Sequence, residues 1–78
     1  MSGCGEIAEY PTIRRGDRGS AVAHAQCLLN HNHGKALDVD GIFGKKTERA
    51  VKQVQRDCGL GVDGIVGPKT WKALRYGC

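Results

Sequence analysis

Val39-Asp40-Gly41-Ile42-Phe43-Gly44-Lys45-Lys46-Thr47 returns 23 positions later as Val62-Asp63-Gly64-Ile65-Val66-Gly67-Pro68-Lys69-Thr70. The register carries on into Ala50 against Ala73 and Val51 against Leu74. Each copy opens on Asp-Gly, a tight-turn pair: aspartate bonds its own backbone, and glycine enters conformations that other residues avoid. Each copy then starts a helix, with Gly44 or Gly67 at the N-cap and Thr47 reaching back from the third helical position. In the second copy Pro68 takes the first helical position, where a missing N–H costs nothing. A turn feeding a helix is therefore expected twice in one small domain.

Working outward, Ala50, Val51, Val54 and Cys58 form the apolar face of one helix, which Gly59-Leu60-Gly61 ends with Leu60 returning to the core. A shorter helix is expected from Pro68 to about Arg75, with Trp71 and Leu74 as i,i+3 neighbours. Upstream, Gly16-Asp17-Arg18-Gly19-Ser20 reads as a turn closing on Ser20 as N-cap. Val22, Ala25, Gln26 and Leu29 then share a helical face to about Asn30, and Asn30-His31-Asn32-His33-Gly34 stops that helix. The Val-Asp-Gly-Ile pieces are too short to pair beyond a bridge. The expected fold is all-α, a small three-helix bundle whose linkers are the two copied Asp-Gly turn–helix units. Residues 1–12 are expected as an irregular arm and residues 13–78 as the domain.

A chain of 78 residues has room for one domain that buries only ~60% of its unfolded surface. Four cysteines in so small a domain favour two disulfides and an oxidising destination. Cys4 and Cys78 stand at the extremities, and domain termini commonly lie close together. The expected pairing is Cys4–Cys78, a long closure contributing roughly 4 kcal/mol, and Cys27–Cys58. A helical wheel nevertheless puts Cys27 on the polar side of its helix. No apolar run approaches ~18 residues, which argues against a membrane partner, and no signal-peptide stretch is visible at the N-terminus. A net charge of +4 suits an anionic partner without naming one.

Several side chains carry both a structural and a functional reading. Asp40 and Asp63 either cap their own turns or meet ligand amides and hydroxyls. Phe43 and Trp71 either fill the core or show an aromatic face. Gln26 and Gln55 point toward apolar faces, where an amide needs partners; they either bond the copied turns or line a groove. Lys45, Arg49, Lys52 and Arg56 form a basic stripe opposite the apolar face, while Arg14, Arg15 and Arg18 cluster at the first turn. Arg14 is suited to grip a carboxylate bidentately. His24, Cys27, His31 and His33 have zinc-like spacing, but a disulfide-bonded Cys27 cannot ligate, and no metal or cofactor is expected.

The order Ile13-Arg14-Arg15-Gly16, Gly19, Val22, Gln26, Leu29, Asp40-Gly41-Ile42-Phe43-Gly44, Thr47, Ala50-Val51, Gln55, Gly59-Leu60, Asp63-Gly64-Ile65-Val66-Gly67-Pro68, Thr70-Trp71 and Leu74 closely resembles the peptidoglycan-binding domain of type 1. That module occurs in bacterial and phage cell-wall hydrolases, and related domains form pro-segments of matrix metalloproteinases. The resemblance covers roughly residues 13–75. A single Asp-Gly-x-Phe-Gly is weak; two copies at the right interval, a Gln on each long helix and Thr-Trp near the end are specific. A cysteine near each terminus is also similar to the version attached to a secreted zinc carboxypeptidase. Ala25 stands where the family usually carries Leu and Val54 where it carries Phe, so the core is trimmed. Cys27 and Cys58 are not family hallmarks, and a second disulfide would compensate.

The resemblance implies a non-catalytic module that binds peptidoglycan, secreted to the bacterial cell wall as a monomer fused to a hydrolase. The expected groove lies between the first turn, the first helix and the first repeat copy. It uses Arg14, Gln26, Asp40, Gly41 and Phe43, with Asp63 as the counterpart ligand-binding position in the second copy. The alternative from another class is a small basic helical domain that binds nucleic acid through its second helix. A minimal Cys–His enzyme has little behind it, since no third group orients the pair.

Overall fold

The computed structural model describes residues 3–78; Met1 and Ser2 of the expected arm lie outside the described residues. Three helices follow one another: α1 (Ser20–His33), α2 (Lys45–Asp57) and α3 (Pro68–Tyr76). Among the described residues the only β pairing is two isolated bridges, Ile13 with Val66 and Arg18 with Ile42. The architecture is the expected all-α three-helix bundle, and among the described residues no helix is long and apolar enough to cross a membrane.

Each helix begins at a glycine, namely Gly19, Gly44 and Gly67, without a side-chain cap. Ser20 is thus the first helical residue and not the cap. Thr47 does not reach back either, because its hydroxyl is committed to Gln26. Pro68 occupies the start of α3 as expected.

α1 runs three residues past Asn30, and tertiary contacts explain why. The Asn30 side chain bonds Leu37 twice, accepting from its N–H and donating to its carbonyl, each at 2.8 Å. Asn32 donates to the Leu74 carbonyl, and the His33 ring meets the Ala73 carbonyl at 2.9 Å. Side chains that ordinarily break helices here tie α1 to the end of α3 and to the loop after α1. The helix closes only at Gly34, whose N–H bonds the Leu29 carbonyl.

The core contains Val22, Ala25, Leu28 and Leu29 from α1, Ala50, Val51 and Val54 from α2, and Trp71, Ala73 and Leu74 from α3. Ile13, Phe43 and Val66 close it from the loops. Phe43 and Val66 are the same position in the two copies, and both pair with the strand-like segment 13–17. Ile13 and Val66 exchange N–H···O bonds of 3.2 and 2.8 Å, while Phe43 donates to Asp17 at 2.9 Å and accepts from Gly16 at 3.0 Å. One short segment therefore laces the two turns together.

The disulfides differ from the expected pairing: Cys4 joins Cys27 and Cys58 joins Cys78. Each terminus is stapled to a neighbouring helix instead of to the other terminus. Cys27 lies on the polar side of α1, facing the arm and not α2, which decides the first bridge. Cys58 is the C-cap of α2, and the tail after α3 returns beside it, with a Cα–Cα distance of 5.4 Å. The loops closed span 23 and 20 residues, shorter than the closure first expected. Replacing Cys58 and Cys78 together by serine should lower the unfolding free energy by about 3 kcal/mol, measured by urea denaturation. Non-reducing peptide mapping should yield the pairs Cys4–Cys27 and Cys58–Cys78.

Candidate functional site

The two Asp-Gly turns are built around two buried amides. The Gln26 side chain of α1 donates to Asp40 Oδ1 at 3.1 Å, to the Ile42 carbonyl at 3.0 Å and to Thr47 Oγ1 at 3.0 Å. Its oxygen accepts the Gly41 N–H at 2.9 Å. Gln55 of α2 repeats the pattern on Asp63, Ile65 and Thr70, at 2.9, 3.0 and 3.1 Å. Its oxygen accepts from Gly64 at 3.0 Å and from Asp63 at 3.2 Å. One amide thus satisfies the turn, the carbonyl beyond it and the threonine in the first turn of the next helix. Both glutamines are 1% exposed and act as structural ties; Gln55 also lines the depression at the second turn, whereas Gln26 does not line the one at the first.

Each turn also demands its glycine. Gly41 has φ +74°, and a Cβ there would meet the Gly19 carbonyl oxygen at 3.1 Å. Gly64 has φ +75°, and a Cβ would meet Glu48 Cγ at 3.0 Å. The turn backbones are therefore pressed against the preceding structure, and their aspartates face outward.

Asp40 and Asp63 are exposed at their turns. In each, Oδ1 accepts from the backbone N–H two residues on, Ile42 at 3.0 Å or Ile65 at 2.9 Å, as well as from the glutamine. Those two donors, the backbone N–H first, hold both carboxyls below their usual range. Oδ2 of each carries no hydrogen bond among the described residues. The aspartates thus fulfil both readings at once, with one oxygen bracing the turn and the other turned to solvent.

Around the first turn lies a shallow depression of about 480 Å³, walled by Arg18, Ser20, Ala23, Val39, Asp40 and Ile42. Val39 and Ile42 are about half exposed, at 53% and 50%. A depression of about 380 Å³ at the second turn is bounded by Leu60, Asp63, Ile65, Pro68 and Lys69.

Of the expected groove residues, Asp40 and Gly41 lie in the first depression. Phe43 does not: it is 1% exposed in the core, so stacking on a ligand is ruled out by its own burial. Arg14 is exposed but belongs to the other copy, where it adds to the attraction holding the Asp63 carboxyl down, after the Ile65 N–H and Gln55 amide. Arg18, Val39 and Ile42 take the places expected for Arg14, Gln26 and Phe43. The bridge between Arg18 and Ile42 is the reason, and no local pattern in the sequence shows it.

The expected zinc spacing is dispersed. His24 packs among Tyr10 and Trp71, and the His33 ring meets Ala73. Cys27 is held in its disulfide with Cys4, beside His31. Burial, then the Arg75 charge, pushes His24 below its usual value of 6.5, and its Nε2 is buried without a partner.

Residues 18–74 match the peptidoglycan binding domain family, and the chain belongs to that family. It is 48% identical over 73 residues to an uncharacterized protein in the bpoA1 3' region of Kitasatospora aureofaciens, covering 92% of this chain and 62% of that one. The chain thus spans under two thirds of that relative's length. Its fold superposes on the Burkholderia AP3 phage endolysin with a TM-score of 0.81 at 46% identity, over 87% of this chain and 26% of the endolysin. A peptidoglycan-binding protein from Clostridioides difficile gives a TM-score of 0.80 at 41% identity, over 87% of this chain and 42% of that one.

Gln26→Ala and Gln55→Ala should each cost about 3 kcal/mol, because every truncation strands several turn groups at once; urea unfolding measures this. Acid should act in two windows. His24 is depressed in the fold, so protons favour the unfolded chain as pH falls below 6.5. The two aspartates are depressed as well, so their contribution is lost further down, below the usual carboxylate range. His24→Leu should flatten the first decline in stability, and Asp40→Asn should reduce the second.

Proposed function

We propose that this chain is a non-catalytic module that binds peptidoglycan through the first-turn depression and holds an attached hydrolase against the bacterial wall. The observation that carries this reading is the pairing, at one turn, of an outward carboxylate oxygen on Asp40 with the half-exposed side chains of Val39 and Ile42. An acceptor flanked by apolar contacts suits amide or hydroxyl donors carried on a peptide or sugar. Arg18 beside it offers a fork for a ligand carboxylate.

Family membership supports the same reading, as do the structural relatives, an endolysin and a peptidoglycan-binding protein. A shallow site gives modest affinity for one repeat of a polymer. Tethering and many neighbouring repeats raise the effective concentration of whatever enzyme is fused to it. The disulfides accord with a secreted protein working at the wall.

The basic stripe of α2 supports a nucleic-acid reading less well. Arg15 pairs with Glu48 at 3.7 Å beside that stripe, which offsets part of its positive field.

Sedimentation with insoluble peptidoglycan tests the proposal. The protein should pellet with wall material at physiological salt and release no soluble fragments. The pair Val39→Ser and Ile42→Ser should weaken retention about tenfold, with the fold checked by its amide spectrum. Retention indifferent to those changes would remove the groove from the account. Binding that collapses steeply with salt would favour the polyanion reading.

A further inference from the structure

A further cleft, of about 480 Å³, opens where the N-terminal arm crosses α1 and α3, between Glu6, Tyr10, His24, Leu28, Arg75 and Tyr76. It shares no lining residue with the first-turn depression. Glu6, Tyr10, Arg75 and Tyr76 also lie outside the segment that matches the family. The cleft is therefore formed by this chain's own flanks against His24 and Leu28 of the matched segment, and its volume is within the ~300–1,000 Å³ of pockets that hold small ligands.

Its centre is Arg75. The guanidinium carbon stands 4.0 Å from the Tyr10 ring centroid and 4.7 Å from that of Tyr76. Contact with two aromatic faces steadies a planar cation and leaves its N–H edge available for a bidentate acceptor. That edge already has a weak internal occupant: Glu6 Oε1 lies 4.0 Å from Arg75 Nη2, at the limit of an ion pair, and Glu6 is 84% exposed. So long and exposed a pair yields readily to a better-placed carboxylate. Among the described residues, the one buried side-chain polar atom without a hydrogen-bond partner is Nε2 of His24, whose ring lines this same cleft. The buried amides at the two turns are satisfied, whereas this buried ring nitrogen is not.

We propose that this cleft binds the free carboxylate of a short peptide, with Arg75 as the fork, Tyr10 and Tyr76 as its clamps, and Glu6 as an occupant displaced by the ligand. A carboxylate fits better than a polyphosphate for three reasons. Arg75 is the one cation in the lining, Glu6 opposes further negative charge, and Leu28 with the tyrosines provides apolar contact for the group that carries the carboxylate. The internal stand-in is itself a carboxylate.

The test is a titration of the full, disulfide-bonded chain followed by amide and arginine side-chain resonances. The probes are N-acetyl-dialanine, its C-terminal amide and inorganic phosphate. The free acid should move Arg75, Tyr10 and Tyr76 saturably, with the amide and phosphate at least about tenfold weaker. Glu6→Gln should tighten binding of the free acid about threefold by removing the competitor. Arg75→Lys keeps the charge but loses the fork, and should weaken it about tenfold with the spectrum otherwise native. An equal response to the amide or to phosphate, no saturable shift, or no tightening in Glu6→Gln would each overturn the assignment. None of these results bears on the wall-binding groove, whose variants lie elsewhere.

Discussion

Two buried amides hold this bundle in register. A primary amide inside a small core is costly unless every donor and acceptor is met. Gln26 and Gln55 meet that condition in only one way, with the oxygen on a turn N–H and the nitrogen shared among an aspartate, a carbonyl and a threonine. Each amide thereby joins the helix it stands on, the turn that follows and the start of the next helix. α2 belongs to both units: it receives the first turn and presents the amide for the second.

This explains how so few apolar side chains suffice. With Ala25 and Val54 at core positions of α1 and α2, packing alone leaves little margin for a chain of this size. The amide ties, the lacing of segment 13–17 across both turns and the two disulfides add constraints that do not depend on core volume. Each turn is therefore a rigid platform that can present an aspartate oxygen and flanking apolar residues to a ligand without being ordered by it. Pre-organisation of that kind lowers the ordering cost of any contact made at the turn.

The two copies are equivalent in backbone but not in surroundings. Arg18 backs the first turn through its bridge to Ile42, whereas Arg14 is close enough to act on the Asp63 carboxyl of the second. Beyond both, the arm carrying Glu6 and Tyr10 is brought over α1 and α3 by the Cys4–Cys27 bridge and by the Trp71 indole, which donates to the Pro11 carbonyl at 2.7 Å. The family scaffold thus acquires a further surface from residues at its margins.

The repeat, the glycine starts of α2 and α3, Pro68 at the head of α3 and the apolar faces were all legible in the sequence, because each depends on backbone preferences or on helical periodicity within a few residues. The family was legible for the same reason, since its motifs are the turns themselves. Three features needed the folded chain. Asn32 and His33 extend α1 because α3 offers them carbonyls, and no local rule anticipates that. Cys27 chooses Cys4 because of the direction in which α1 faces, which proximity of termini does not reveal. Phe43 goes inside and Ile42 outside because segment 13–19 pairs with this turn. Contacts between distant segments decide which of two adjacent apolar residues meets solvent, and so decide what a ligand can touch.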